Sequence, residues 1–180
     1  LGISSLDPAD TFYLFQHLLR KLHSRRESLT QARANEIFWR TLIANIIPGH
    51  QEASSEVGEW FSAYMNLAKW HAAVRSGETC IPIRLSEMDL AHKFLIAMYA
   101  KADRRSLCIT EKGYLCLAPP DTKVGDSLCI LLGGRVPYML RRKRGSVYNL
   151  VGESYVHELM TGEAFNNEAA KERIKDIKLL

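Results

Sequence analysis

The sequence predicts an α+β fold. An N-terminal helical region of about four helices covers 1–104, a small antiparallel five-stranded β-barrel-like module covers 105–165, and a short C-terminal helix or tail covers 166–180. Three observations predict it. Apolar residues recur every three or four positions up to Arg105, the helical period. Beyond Arg105 the period falls to two and glycines and prolines arrive at short spacing, the pattern of strands and tight turns. The chain also has 180 residues, 47% apolar and 24% charged, the balance of a globular protein that buries roughly 70% of its unfolded surface.

The helices come first. Asp7-Pro8 supplies an N-cap and a proline at the first helical position, and Phe12, Phe15, Leu18, Leu19 and Leu22 make one apolar face behind it. Ser28 or Thr30 caps a second helix, whose face is Ile37, Phe38, Leu42 and Ile46, with Pro48-Gly49 as its stop. A third helix carries Val57, Trp60, Phe61, Tyr64, Leu67, Ala68, His71 and Val74, and Gly77 ends it. Ser86 with Asp89 resembles a capping box for a fourth helix, which buries Ala91, Phe94, Leu95 and Met98. The three tryptophans and their aromatic neighbours sit at core spacing, with Trp70 off the main stripe and free to contact the barrel.

The strands follow. Leu107 and Ile109 alternate, Glu111-Lys112-Gly113 turns, and Leu115 and Leu117 alternate again. A three-residue loop ending in glycine connects hairpins. This register sets Ile109 opposite Leu115, Leu107 opposite Leu117, and Cys108 across from Cys116 on the other face. Pro119-Pro120 ends that strand, and Val124-Gly125-Asp126 turns into Leu128, Ile130 and Leu132. Gly133-Gly134 leads to 136–140, the basic run ending at Gly145 reads as a loop, and 147–156 is a long strand. Gly152 inside it marks a bulge or bend. Strands this short, with one bent, suggest a small, partly open barrel. Ile174, Ile177 and Leu180 have helical spacing in the tail.

Composition excludes several classes. The net charge is only +4, milder than a dedicated nucleic-acid module shows. No apolar run reaches the ~18 residues a bilayer span needs, so no membrane span is expected. The four cysteines, at 80, 108, 116 and 129, form no C-x-x-C pair and are too few for a disulfide scaffold. They read as reduced thiols in a cytoplasmic protein. No signal peptide is visible, and the chain starts at Leu1 rather than Met, which suggests a piece of a longer protein. Dinucleotide, Walker, zinc-protease and nucleophile-elbow motifs are absent.

Residues 107–164 resemble the C-terminal region of fungal heterokaryon incompatibility proteins, downstream of the incompatibility domain itself. The matching pieces are the run from Ile109 to Pro120, Val124-Gly125-Asp126, Gly133-Gly134 followed by Pro137, Leu140-Arg141, and the run from Tyr148 to Ala164. The run from Phe38 to Leu42 resembles the helical region preceding this block. The resemblance implies non-self recognition and programmed cell death, and supplies no catalytic residues. Cys116, Ser154 and Glu158 depart from it, standing where glycine, cysteine and glycine are common.

The remaining candidates are weighed residue by residue. Arg141, Arg142, Lys143 and Arg144 would attract phosphate or another anionic surface, or simply form a solvated loop; they are the candidate binding residues. Gly113, Gly125, Asp126 and Gly152 read as structural turn residues, Asp126 bonding the backbone two residues on. Cys108, Cys116 and His157 would form a thiol or metal site only if a base lay beside a thiol; alternation with leucines favours space-filling. His157 and Glu158 read as a polar strand end. The expected function is therefore a non-catalytic recognition or regulatory region, with no cofactor and no metal. Its partner would be another protein or the upstream domain of its own chain. A nucleic-acid-binding barrel and a thiol- or metal-dependent enzyme are the rivals.

Overall fold

The computed structural model describes residues 7–163 and 174–180. Four helices open the chain: α1 (Pro8–Arg25), α2 (Gln31–Leu42), α3 (Val57–Arg75) and α4 (Leu85–Ala102). Asp7 caps α1, accepting from the Ala9 N–H at 2.7 Å, with Pro8 at the first helical position. Thr30 caps α2 by accepting from the Arg33 N–H. Each satisfies a donor that the first turn cannot pair internally.

Two helix ends differ from expectation. Helix α2 stops at Leu42 rather than Pro48, because Ala44 and Asn45 adopt φ of 49° and 56° and the Asn45 N–H returns to the Arg40 carbonyl at 2.8 Å. Ile46 consequently leaves the helix face and joins a short hairpin, β1 (Ile46–Ile47) with β2 (Gln51–Glu52). The capping box at Ser86 does not form: α4 already begins at Leu85, and Arg84 at its cap makes no side-chain capping hydrogen bond. Val74, expected in the core, is 48% exposed.

The core is aromatic at its centre. Phe15 meets Phe38 edge-on at 4.4 Å between ring centroids, and Phe61 lies 5.3 Å from Phe94, geometries that suit ring quadrupoles. Leu107, Leu115 and Leu117 belong to this same core. They come from the hairpin β3 (Ser106–Ile109) and β4 (Leu115–Ala118), whose register pairs Leu107 with Leu117, Cys108 with Cys116 and Ile109 with Leu115. Gly113 closes the turn at φ 79°, with a Cβ there falling 2.8 Å from Arg26 Cγ.

The remaining strands are β5 (Ser127–Ile130), β6 (Pro137–Arg144), β7 (Val147–Glu153) and β8 (Lys178–Leu179), in one sheet of that order. A smaller core of Cys116, Ala118, Met139 and Val156 separates this sheet from the hairpin. The expected five-stranded barrel is therefore replaced by a two-stranded and a four-stranded sheet, with no closed barrel among the described residues. Their backbone link is the bridge between Leu117 and Tyr155. Closure fails for a local reason: Pro119-Pro120 ends β4 without donors, and after Tyr155 the chain turns into a 3-10 helix at His157–Leu159.

Two further expectations are corrected. The basic run is not a loop: β6 extends to Arg144, and Gly145-Ser146 makes the turn. Lys143 is the extra residue of a bulge there, and Val151 is the extra residue of a second bulge beside Gly152. The tail helix expected over 166–180 lies outside the described residues as far as 173; over 174–180, which hold its apolar residues Ile174, Ile177 and Leu180, the chain is not helical and Lys178–Leu179 pairs parallel with β7 instead. There the Lys178 and Leu180 N–H groups donate to the Ser146 and Tyr148 carbonyls.

Gly125 sits in its turn at φ 96°, with nothing within 4 Å of an added Cβ. Gly125→Val therefore carries backbone strain alone, about 1–3 kcal/mol, and lowers the melting temperature by several degrees in a thermal scan.

Candidate functional site

A concavity of about 450 Å³ lies where the helices meet the strand module. Arg26, just beyond α1, and Arg33 of α2 form one wall; Asn45 and Glu52 of the β1–β2 segment form another; Tyr155 and His157 close the third. Each wall is fixed by paired polar groups. The Arg26 guanidinium donates twice to Glu158, at 2.5 and 2.9 Å, which raises its pKa. The same guanidinium lies 5.9 Å from the Tyr114 ring centroid. This fork fastens the end of α1 to the 3-10 turn, and a bidentate pair sets orientation as well as charge.

Arg40 organises the opposite wall. It donates to Glu36, to Asn45 Oδ1 and to the Ala53 carbonyl, and stacks 4.4 Å from the Trp39 ring centroid. Asn45 in turn donates to Glu52 at 2.9 Å. Tyr155 and His157 share a hydrogen bond of 3.1 Å between Oη and Nδ1. Burial, helped by the Arg40 and Arg33 guanidinium groups, lowers the His157 pKa, so the ring is neutral at pH 7. Burial pushes the Tyr155 phenol up.

The thiol constellation does not assemble. His157 bonds Tyr155, whereas Cys108 contacts the Cys116 carbonyl at 3.7 Å. Among the described residues no cluster of three His, Cys, Asp or Glu side chains is placed to hold a metal ion.

The basic run is divided. Arg141 donates from Nε and Nη2 to Asp126 at 2.8 and 2.7 Å, and from Nη2 to the Asp121 carbonyl. Arg142 donates to Gly145 across the turn. Lys143 and Arg144 are exposed and have no ion-pair partner among the described residues. Asp126 is thus more than a turn residue: it accepts from the Lys123 N–H three residues back and anchors Arg141, with its side chain 3% exposed.

The Arg141 guanidinium holds the Asp126 carboxyl below the usual carboxylate range, against the effect of burial, with the Lys123 N–H assisting. A depressed folded-state pKa means stability that is present above the unfolded value and lost as pH falls through the folded one. Asp126→Asn should therefore cost on the order of 1–2 kcal/mol at neutral pH, the lower part of the range for charge-assisted bonds because Arg141 is partly solvated. The variant should also lose less stability than the wild type as pH falls below about 4, near the unfolded aspartate pKa. Urea midpoints at neutral and acid pH read both effects.

Sequence reasoning missed the Arg26–Glu158 and Arg40 networks. The first joins positions 132 apart and leaves no local pattern. For the second, Asn45 and its positive φ give only a weak turn signal.

A family model described as the Het-6 beta-barrel domain matches residues 59–174. The matched stretch begins within α3 and runs across the change from helix to strand at 105. No curated protein and no solved structure matches the chain.

Proposed function

Because the chain belongs to the Het-6 beta-barrel domain family, a domain associated with fungal heterokaryon incompatibility, we propose that it is a non-catalytic recognition or regulatory region of an incompatibility protein. Its role is to seat another protein, or a further domain of its own chain, over the groove between helices and strands, in the cytoplasm and in the pathway to cell death. One observation carries this reading: the charged groups around the groove are already committed to one another. Arg26 is held by Glu158, Arg33 by Glu36, Glu52 by Asn45 and His157 by Tyr155. General acid–base work needs a group free to meet a substrate proton, while committed pairs give a fixed relief suited to recognition.

The test inverts the relief without touching the core. Met160 lines the same groove just after the 3-10 turn. Arg33→Glu, Glu52→Lys and Met160→Asp together, in the full-length protein, should abolish the incompatibility response and partner co-purification while the melting temperature stays within a few degrees. An unchanged response and an unchanged set of partners overturns the proposal.

A second reading keeps one supporting observation: Arg142 lies across the ladder from Tyr148, a cation beside an aromatic as in single-strand binders. Titration with short RNA and DNA decides it. Steep salt dependence supports nucleic-acid binding, and no binding at low salt ends it.

A further inference from the structure

We propose that Cys108 and Cys116 form a peroxide-sensitive dithiol, a modification site inside the β3–β4 hairpin that closes to a disulfide under oxidation. The register places the two residues directly opposite one another. Which kind of opposition this is follows from the hydrogen bonds around it. The Thr110 N–H donates to the Tyr114 carbonyl, and Leu117 turns both its backbone groups away from β3, toward Tyr155. Pair types alternate along an antiparallel ladder. Leu107 and Leu117 are therefore a non-bonded pair, and Cys108 and Cys116 a bonded pair. Cα atoms in a bonded pair lie about 5.5 Å apart, inside the ~4.4–6.8 Å window a disulfide requires; the Cβ atoms, farther apart than in a non-bonded pair, draw in to about 3.5–4.5 Å as the bond closes.

Both side chains leave the same face of the hairpin, toward the smaller core with Met139 and Val156. They differ in access. Cys116 is fully buried, whereas Cys108 is half-buried at the edge of that core. Access thus orders the steps. The neighbouring Cys116 thiol, opposed in part by burial, shifts the Cys108 thiol downward, while the hydrogen bond to Cys108 and burial push Cys116 upward. Cys108 is then the attacking thiolate and Cys116 the resolving thiol. The Cys108 thiolate attacks one oxygen of hydrogen peroxide; the O–O bond breaks, and hydroxide leaves and is protonated to water. Cys116 sulfur next attacks the Cys108 sulfenic sulfur. The S–S bond forms, the S–O bond breaks, and the departing hydroxide takes the Cys116 proton as a second water. Two thiols lose two electrons and the peroxide gains them. The other cysteines have no such counterpart, since Cys129 stands opposite Tyr138 and Cys80 lies in the α3–α4 connection.

The test uses the folded chain and hydrogen peroxide. After oxidation, alkylation and digestion, one crosslinked product should join Cys108 to Cys116, lighter by two hydrogens than the reduced pair. Titratable thiols in the denatured protein should fall from the four cysteines present to two, and a dithiol reductant should restore them. The crosslink should persist in the Cys80→Ser, Cys129→Ser double variant. In Cys116→Ala, Cys108 should stop at a sulfenic acid that dimedone traps. Four thiols remaining after peroxide, a crosslink through Cys80 or Cys129, or a wild-type Cys108 that accumulates sulfenic acid without pairing would each overturn the proposal. The wild-type measurement stands whether or not Cys116→Ala folds.

Discussion

Leu117→Ala lowers the stability of the whole chain by about 2–5 kcal/mol, the range for deleting a buried leucine side chain without collapse of the space it leaves, and the helices melt together with the strands. Leu117 is 2% exposed and packs in the same core as Phe94, Phe61 and Leu22. Its backbone also carries the bridge to Tyr155, at 2.9 Å in both directions. The side chain thus ties hairpin to helices while the main chain ties hairpin to sheet. Urea unfolding followed by far-ultraviolet circular dichroism reports the helices, and the variant's midpoint should fall in a single transition. A helical midpoint left at the wild-type value would show that the helices fold without the hairpin.

Gly152→Val has an effect of similar size for a different reason. Gly152 has φ 152°, and an added Cβ would lie 2.9 Å from Pro119 Cγ. The backbone conformation alone costs roughly 1–3 kcal/mol for a side-chain-bearing residue. The clash adds an overpacking cost of about 1–3 kcal/mol, because a proline ring cannot swing aside. The sum, about 2–6 kcal/mol, exceeds that for Gly125→Val, where a Cβ meets only open space. Parallel denaturation of the two variants separates strain from crowding. Equal losses would mean that the approach of β7 to Pro119 has no energetic weight.

The parts legible in the sequence are those fixed by neighbours in the chain. Asp7-Pro8 and Thr30 announce their helices, because a cap acts on donors two or three residues away. The β3–β4 register follows from leucines that must all face one way and from a three-residue turn ending in Gly113. Gly152 was readable as a bend because glycine in a strand has few other uses. What escaped was set by distant partners. Arg141 to Arg144 looked like a loop because charges cluster there, yet β5 and β7 flank the run and draw it into a strand. Asp126 looked complete as a turn residue until Arg141 arrived from across the sheet. Barrel closure depended on whether two sheets met along a ladder or at one bridge, which alternation within a strand does not encode. Glu158, one of the departures from the family resemblance, proved to be the acceptor that holds Arg26.

The Lys178–Leu179 strand has a colloidal consequence. By pairing with Ser146 and Tyr148, it covers the first part of the β7 edge, where a neighbouring molecule's backbone would otherwise add itself. A two-residue flap bearing a lysine makes a poor template for such growth. Lys178 and Leu179 thus act as a selvedge over the Val147–Tyr148 stretch, shielding it from pairing with another copy.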